Sequence, residues 1–177
     1  MLVNIFYKLI FSFFRKKLKL FFKYFLIKDG FIKIFSNYCL YFSIFNFLSK
    51  STFFQLKSLV DLVIIDYPNK NFRFLANYLL LSVNLNFRLT LHFCTSDSFP
   101  IISTKKIFNS SNWLEREAWD FYGIFFIFNN DLRRIFLDYG FEGYPFRKDF
   151  PLSGFYEIYY NQPSYSLCYR SVILNKT

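Results

Sequence analysis

The sequence predicts an α+β domain: a short antiparallel or mixed sheet with flanking helices, an irregular extended C-terminal segment, and a basic N-terminal helical extension. Three observations lead to this fold class. Short segments between residues 59 and 93 alternate apolar and polar side chains, which is the period of a strand. Helix-like segments precede and follow them. Beyond residue 138, glycine and proline recur too closely for any regular element. We divide the chain at 1–58, 59–137 and 138–177.

The N-terminal extension begins with a basic amphipathic segment. Residues 1–28 carry seven basic side chains and no acid. On a helical wheel most of these cations lie on one side, opposite Phe, Leu and Ile. Such a helix rests on an anionic membrane surface, packs on a partner or on its own domain, or acts as a targeting peptide, and the pattern leaves these open. Residues 31–58 are also predicted to be helical, apolar nearly all round and therefore buried.

The core domain is predicted to contain a meander of short strands. Residues 59–65 alternate as a strand does, and Pro68 to Asn71 form a turn. Residues 72–81 are either strand or helix. After a turn, residues 87–93 place Phe and Leu on one side and polar residues, including the only histidine, on the other. This is typical of a half-buried strand, and a loop follows at 95–100.

A helix is predicted directly after Asn112. Asn112 and Glu115 have the spacing of a capping box, in which each side chain bonds a free backbone N–H group. Arg116 and Asp120 stand four residues apart, so we expect them to form an ion pair on the helix surface. Gly123 is the expected stop signal.

The remainder of the chain is predicted to be mostly irregular. An apolar strand-like run at 124–128 is followed by a polar turn. From 138 to 154 the chain is interrupted by Gly140, Gly143, Pro145, Pro151 and Gly154. Its backbone groups must therefore find hydrogen-bond partners outside a ladder or helix. Residues 155–160 are predicted to be a last strand or a strand-like tail, and residues 162–177 a tail without pattern.

The composition does not predict a membrane-spanning protein, although 54% of the residues are hydrophobic. The longest uncharged run, residues 34–49, has 16 residues and includes five Ser or Asn. A spanning helix needs about 20 mainly apolar residues, so we expect no transmembrane span. Abundant Phe, Ile, Asn, Lys and Tyr, with few Ala, Gly and Pro, are typical of proteins encoded by an AT-rich genome such as that of an organelle.

The charges are unevenly distributed along the chain. Of the net charge of +10, residues 1–58 account for +9. Between Trp113 and Glu157 lie eight of the twelve carboxylates and both tryptophans. Charges of both signs, interleaved with glycine, proline and aromatic residues, indicate a shaped surface with directed ion pairs.

No motif predicts catalysis or cofactor binding by this chain. The three cysteines are far apart in the sequence and form no C-x-x-C pair. His92 is the only histidine that could add a nitrogen ligand. The sequence therefore argues against a zinc or iron–sulfur site. No glycine-rich nucleotide motif and no Ser–His–acid or Cys–His arrangement is present. We therefore expect no cofactor, no metal and no catalytic residue. The odd cysteine count fits a reducing compartment.

The charged window resembles a known family. E-R-E-x-x-D at Glu115 to Asp120, D-L-R-R-I at Asp131 to Ile135 and D-Y-G-F-E-G-x-P-x-R-K-D-F-P-L at Asp138 to Leu152 resemble the 30-kDa subunit (also called subunit 9) of respiratory complex I, NADH:ubiquinone oxidoreductase. A weaker similarity upstream includes D-Y-P and R-F segments. Together they cover about residues 59–157. Asn129 and Asn130 stand where the family pattern usually has His-Pro.

This resemblance implies a non-catalytic subunit of the quinone module, in the matrix-facing peripheral arm of a mitochondrial inner-membrane complex. The H⁺-translocating enzyme transfers electrons from NADH to ubiquinone, and the chain would support it by docking on the 49-kDa-type subunit and other complex I subunits. The expected interface cations, which meet partner carboxylates, are Arg133, Arg134, Arg147 and Lys148. Asp138 and Asp149 are expected to orient them. The residues expected to brace the helix are Glu115, Arg116, Glu117 and Asp120.

Two alternatives remain open at the level of sequence. The basic N-terminal third would suit an RNA-associated organellar protein, such as a ribosomal component, but the eight carboxylates would repel phosphate, so we expect no nucleic-acid partner. The related subunit of a membrane-bound hydrogenase shares the family pattern. For residues 1–28, contact with a membrane surface or an accessory subunit is one of the interpretations that the basic pattern leaves open.

Overall fold

The computed structural model describes residues 22–28, 31–36 and 41–173 of the 177. The predicted fold class is confirmed, with a mixed sheet, two helices and a long irregular segment. In chain order the elements are β1 (Phe22–Lys28), β2 (Phe31–Ser36), α1 (Tyr41–Lys50), β3 (Ser58–Asp66), β4 (Phe74–Ser82), β5 (Phe87–Thr95), β6 (Ile101–Ile102), α2 (Ser111–Tyr122), β7 (Phe126–Ile127), β8 (Tyr156–Asn161) and β9 (Ser166–Ser171).

Strands β3, β4 and β5 form the antiparallel part of a five-stranded sheet with the order β1-β2-β5-β4-β3, in which β3 lies at one edge. The predicted strands at 59–65 and 87–93 are confirmed. The segment at 72–81, which the sequence leaves ambiguous, is strand β4. It pairs with β5 along its whole length and with β3 from Phe74 to Leu81, so the sheet supplies partners for its backbone groups.

The prediction of a helical extension over 1–58 is wrong for the parts that form β1 and β2. Strand β2 pairs in parallel with β5, and β1 pairs antiparallel with β2. The Phe- and Ile-rich sequence of these segments favours strands, and the otherwise open edge of β5 offers backbone partners that a helix would leave unpaired. Residues 1–21, most of the predicted basic helix, lie outside the described part of the chain.

Helix α1 is shorter than predicted and is buried on one face, not all round. Its buried side chains are Tyr41, Ile44, Phe45 and Leu48. The ring of Phe45 packs edge-on to Tyr78 of β4, with 4.9 Å between the ring centroids, and lies 5.7 Å from Phe93 of β5. The apolar core therefore lies between α1 and one face of the sheet.

The second half of the domain is built around α2, which contacts β3. The strand predicted at 124–128 shrinks to the two residues of β7, which pair in parallel with β6. Ile124 and Phe126 are nevertheless buried, so the apolar run fills core positions without extending a ladder.

The predicted C-terminal tail is wrong for residues 166–171. They form β9, which pairs antiparallel with β8 in a separate two-stranded sheet. Leu167 and Tyr169 alternate with smaller or polar residues, and the Pro-containing turn before them is a signal for a hairpin.

Among the described residues, neither helix has the length and hydrophobicity to cross a membrane. Within the same part of the chain, no group of three or more His, Cys, Asp or Glu side chains is placed to hold a metal ion. His92 lies on the polar side of β5, as predicted, and its Nδ1 hydrogen-bonds Oδ1 of Asn77 on β4.

Candidate functional site

The charged window folds into two parts, helix α2 and an irregular segment between β7 and β8. We call residues 128–155 the ribbon; it contains no helix or strand. Helix α2 ends at Gly123, whose φ of 72° is left-handed and whose N–H donates to the Trp119 carbonyl, as the predicted stop requires. The helix buries Glu115, Arg116 and Asp120, which is unusual for charged side chains and requires partners for each of them.

Glu115 is fully buried and accepts hydrogen bonds from three neighbouring segments. Thr104 donates its N–H at 2.7 Å and its hydroxyl at 3.0 Å, and Ser103 donates its hydroxyl at 2.6 Å. Ser111 bonds the same carboxylate from within the helix. Nδ2 of Asn129 donates at 3.0 Å from the start of the ribbon. One carboxylate thus joins the loop after β6, helix α2 and the ribbon.

The predicted capping box is wrong. The N-cap residue is Ser110, which makes no side-chain cap bond, and its hydroxyl donates to the Leu59 carbonyl of β3 instead. Glu115 lies two residues beyond the position that a capping box requires, and its carboxylate is occupied by the buried donors of the neighbouring loop. Those bonds satisfy groups that have no access to water, whereas a helix N-terminus is often solvated.

Asp120 is the second fully buried carboxylate and holds the ribbon directly. Its Oδ2 accepts three consecutive backbone N–H groups, from Ile135 (3.0 Å), Phe136 (2.8 Å) and Leu137 (3.1 Å), while Oδ1 accepts from Arg134 at 2.9 Å. Burial acts to raise the pKa of Asp120. The N–H groups and the guanidinium outweigh burial, and the pKa is lowered below its ordinary value.

Arg134 completes this contact from the ribbon side. Its Nη1 also donates to the Asp120 carbonyl, and its Nη2 donates to the carbonyls of Phe141 (3.0 Å) and Gly143 (3.2 Å). A planar guanidinium with five donors is suited to such a junction. Asp120 and Arg134 therefore fix the ribbon at two turns, one before and one after Asp138.

The expected pair between Arg116 and Asp120 does not form. Arg116 donates to the Arg133 carbonyl at 3.0 Å, stands 4.0 Å from Asp131 and lies over the Trp113 ring. Residues four apart on a helix approach each other on its surface, but both of these side chains are buried against different parts of the ribbon. The ribbon supplies stronger, desolvated partners than the neighbouring turn does.

A second anchor holds the far end of the ribbon to the sheet. Asp66, at the end of β3, accepts two bonds from Arg73, from Nε at 2.7 Å and Nη2 at 2.8 Å, and one from the Lys148 N–H at 2.8 Å. Arg73 also donates to Asp149 at 2.9 Å. The side-chain bonds to Arg73 are the largest cause that lowers the pKa of Asp66, and they outweigh burial.

Arg147 forms a third anchor, at the end of α2. Its Nε donates to the Tyr122 carbonyl at 2.7 Å and its Nη2 to Asp97 at 2.6 Å. The guanidinium lies over the Tyr144 ring, 4.6 Å from its centroid. A Cβ on Gly123 would stand 2.5 Å from the same ring, so the close approach of the ribbon requires glycine there.

The predicted site residues therefore divide into two groups. Glu115, Arg116, Asp120, Arg134 and Arg147 are engaged inside the chain, and Asp149 pairs with Arg73. The other predicted residues lie on the surface: Glu117, Arg133, Asp138 and the Lys148 side chain are exposed, with Arg133 paired to Asp131 at 2.6 Å. The three buried charges of α2 are bonded to the ribbon and to the loop after β6.

Aromatic side chains accompany the exposed charges. Phe136, Phe121 and Phe146 are stacked, with Phe121 5.4 Å and 4.1 Å from its two neighbours. Both outer rings are more than half exposed, and Tyr139 and Leu152 are almost fully exposed. An exposed apolar surface with a polar rim is typical of a protein-binding site.

Several anchoring residues are absent from the predicted site. Asp66 and Arg73 lie in the D-Y-P and R-F segments that resemble the family, and this resemblance could have identified them as site residues. Asn129, a departure from the family pattern, supplies a hydrogen bond to Glu115, and its Oδ1 accepts the Asp131 N–H at 3.2 Å. Ser103, Thr104 and Asp97 carry no signal in the sequence, since only the folded chain brings them to these partners.

The two buried carboxylates of α2 are fully engaged as hydrogen-bond acceptors. Glu115 and Asp120 each have both oxygens occupied by donors and no access to solvent. A general base needs a free lone pair directed at a substrate proton. These carboxylates are therefore structural acceptors for backbone and side-chain donors.

The model of the family described as "Respiratory-chain NADH dehydrogenase, 30 Kd subunit" matches residues 40–156. This chain belongs to that family. The match includes α1, strands β3 to β5, α2 and the whole ribbon, so the resemblance drawn from the charged window is confirmed. The family match begins at residue 40, whereas the resemblance by motifs begins at about residue 59.

Curated members of the family are similar over most of this chain. NADH-ubiquinone oxidoreductase subunit 9 of Acanthamoeba castellanii is 48% identical over 129 residues, which are 73% of this chain and 65% of that protein. A subunit of the NADH-quinone oxidoreductase of Rhodospirillum rubrum is 41% identical over 133 residues, 75% of this chain and 62% of that protein. The chain therefore matches slightly less than two thirds of the length of these relatives.

Solved structures show the same fold. A trypsin-resistant fragment (1-134) of Nqo5 superposes with a TM-score of 0.59 at 20% identity, covering 72% of this chain and 99% of the fragment. A chain of the archaeal membrane-bound sulfane sulfur reductase superposes with a TM-score of 0.66 at 18% identity, covering 82% of this chain and 85% of its own.

Proposed function

We propose that this chain is a non-catalytic structural subunit of complex I. It lies in the quinone module of the peripheral arm, facing the mitochondrial matrix at the inner membrane, and docks on the 49-kDa-type subunit. In this role it supports electron transfer from NADH to ubiquinone by holding neighbouring subunits in place. Membership of the 30 Kd family supports this placement, and the saturated carboxylates support a role without chemistry of its own.

The observation that carries the interface proposal is the internal anchoring of the ribbon. Three carboxylates outside the ribbon, those of Asp66, Glu115 and Asp120, accept hydrogen bonds from it. Two of its own arginines complete the anchoring: Arg134 donates to Asp120 and to ribbon carbonyls, and Arg147 donates to the Tyr122 carbonyl and Asp97. The side chains on its outer surface are therefore held in one arrangement before any partner arrives. A preorganised surface loses little conformational entropy on binding, which favours a stable assembly.

In this proposal the six predicted interface residues act in two ways. Arg133, Lys148 and Asp138 meet the partner directly, because their side chains are exposed on the ribbon. Arg134, Arg147 and Asp149 act indirectly, through the intrachain bonds that shape the ribbon. The partner is expected to present carboxylates to the exposed cations and apolar side chains to Phe136, Tyr139 and Phe146.

The first test is whether the chain is a component of the respiratory enzyme. Mitochondrial membranes are solubilised in mild detergent and separated on a native gel, with and without nuclease. We expect the chain to co-migrate with NADH dehydrogenase activity and to be insensitive to nuclease. Release by nuclease, with a steep dependence on salt, would instead establish the RNA-associated alternative. Co-migration with hydrogenase activity would establish the other alternative, the related subunit of a membrane-bound hydrogenase.

The second test is a charge reversal at the exposed interface. The variant Arg133→Glu/Lys148→Glu should incorporate poorly into the complex, while its free energy of unfolding stays close to that of the natural chain. The matched control is Lys57→Glu/Arg88→Glu, which reverses two exposed cations outside the ribbon. Arg134 and Arg147 are left in place, because their reversal would break the anchors. Equal incorporation of both double variants would refute the direct role of the two cations.

A further inference from the structure

The hairpin of β8 and β9 has one apolar face and one polar face. Directly opposed residues share a face, so the register places Tyr156, Ile158, Tyr160, Leu167, Tyr169 and Ser171 together. The other face carries Glu157, Tyr159, Asn161, Ser166, Cys168 and Arg170, with Glu157 and Arg170 paired across the strands at 2.5 Å. The hairpin is therefore amphipathic, like a sheet that packs its apolar face against another surface.

The apolar face is uncovered by the described part of this chain. Its five large side chains are between 55% and 70% exposed. Aromatic side chains bury about 150–250 Å² each, so three tyrosines with Ile158 and Leu167 offer on the order of 500 Å². That is more than half of the ~800 Å² that each partner contributes to a standard interface. An isolated two-stranded hairpin is marginal in water, which favours a bound state.

The hairpin is continuous with the ribbon. Phe155, at its base, packs edge-on to Phe150 of the ribbon at 5.4 Å, and the Val172 N–H closes the base on the Phe155 carbonyl at 3.1 Å. The family model ends at residue 156, so almost the whole hairpin lies beyond it. We propose that the apolar face of this hairpin is a second docking surface, which binds a neutral apolar surface of a neighbouring protein subunit.

Charge and backbone chemistry select a protein as the occupant. The one acid and the one base of the hairpin pair with each other, so nothing on it attracts nucleic acid or anionic lipid. Its two outer edges carry backbone groups that no strand within 22–28, 31–36 or 41–173 pairs with. Hydrocarbon cannot satisfy such groups, whereas a polypeptide can, by strand addition or side-chain bonds. Two copies of a chain with a net charge of +10 repel each other.

The proposal rests on the proposed function, in that the neighbouring subunit belongs to the same complex. A matched pair of substitutions tests it. Ser171→Glu introduces a charge on the apolar face without removing any contact of the hairpin, and Ser166→Glu introduces the same charge on the polar face of the same strand. Both serines are exposed, so the hairpin itself tolerates either change. A charge buried without a partner at an interface is strongly unfavourable.

The measurement is competition between the variant and the natural full-length chain for incorporation into the solubilised NADH dehydrogenase complex. We expect Ser171→Glu to be incorporated at least about tenfold less than the natural chain, a difference of about 1.4 kcal/mol. Ser166→Glu should compete within about twofold. Hydrogen exchange of β8 and β9 in the complex, compared with the free chain, should show protection that is lost in Ser171→Glu.

The other possible outcomes separate failure of the docking face from failure of the proposed function and from a different occupant. If both variants compete normally, or both fail equally, the docking face is refuted while the proposed function stands. If the natural chain itself does not co-migrate with NADH dehydrogenase activity, the proposed function fails and this proposal fails with it. If the free chain dimerises, or binds vesicles of phosphatidylcholine, and Ser171→Glu abolishes that binding, the occupant is a second copy or a lipid surface and not a neighbouring subunit.

Discussion

The sheet and the ribbon of this domain are stabilised by opposite kinds of interaction. In β3, β4 and β5 the backbone pairs with itself, and α1 covers one face with apolar side chains such as Phe45. The ribbon has no ladder. Some of its turns are closed by single backbone bonds, such as that from the Phe150 N–H to the Arg147 carbonyl, and other backbone N–H and C=O groups bond to the side chains of Asp66, Asp120 and Arg134. A strand finds its backbone partners in the neighbouring strands, whereas an irregular segment also needs side chains as partners for the backbone groups that no ladder pairs.

This difference determines how each region responds to substitution. Loss of an apolar group from the sheet core removes contact area, and the surrounding side chains relax in part. Loss of a buried carboxylate from an anchor leaves several donors unsatisfied at once, and nothing nearby replaces it. The ribbon should therefore be sensitive at a few charged positions and tolerant elsewhere.

The largest effect is expected at Asp120. Asp120→Asn replaces an acceptor by an amide whose NH₂ group faces donors, and it leaves Arg134 partly buried without a counter-charge. We expect a loss of about 3–5 kcal/mol in the free energy of unfolding, measured by urea denaturation. The control is Asp138→Asn, an equal change at an exposed position of the ribbon. Similar losses for both would mean that Asp120 is no anchor.

The next effect is expected at Glu115. Glu115→Gln keeps the size of the side chain but turns one acceptor into a donor among the N–H and hydroxyl donors that surround it. We expect a loss of about 2–3 kcal/mol. Glu117→Gln, two residues away on the exposed side of the same helix, should change the stability little. Faster exchange of the Thr104 amide in Glu115→Gln would locate the damage at this cluster, and an unchanged rate would argue against it.

Two glycines with the same φ separate backbone strain from packing. Gly123 and Gly154 both have φ near 72°, but only at Gly123 would a Cβ meet the Tyr144 ring. Gly154→Ala should cost about 1 kcal/mol from strain alone. Gly123→Ala should cost about 1–3 kcal/mol more, because the ribbon must move away from the helix. Thermal unfolding of both variants provides the comparison, and equal losses would show that the ribbon packs loosely at this point.

The smallest predicted effect is a dependence of stability on acid. The pKa values of Asp66 and Asp120 are lowered in the folded chain, mainly by Arg73 in the first case and by backbone N–H groups against opposing burial in the second. Their stabilisation is thus fully present above the ordinary Asp pKa and is lost as the pH falls below it, through the folded values. Asp66→Asn should flatten the decline of stability as the pH falls below the ordinary Asp pKa. An unchanged decline would contradict the assignment.

Much of the sheet and little of the anchoring can be predicted from the sequence. Alternation identifies β3 and β5, and Gly123 marks the end of α2, because these signals are local. The sequence predicts helix where β1 and β2 lie, since an apolar segment without clear alternation is stabilised in either form and the free edge of β5 decides between them. The pair of Arg116 and Asp120 is predicted from spacing alone, which ignores the ribbon that covers both side chains.

By itself the sequence determined where β3 and β5, the stop of α2 and the broken, charge-rich window lie, and it determined the family. Only the tertiary structure decided which acid receives which donor, because a carboxylate binds what lies within about 3 Å in space and not what is near along the chain. Glu115 and Asp120 stand five positions apart, yet one serves the loop after β6 and the other the turn after Arg134. Burial fixes these pairings, because a buried carboxylate that loses its protein donors cannot replace them with water.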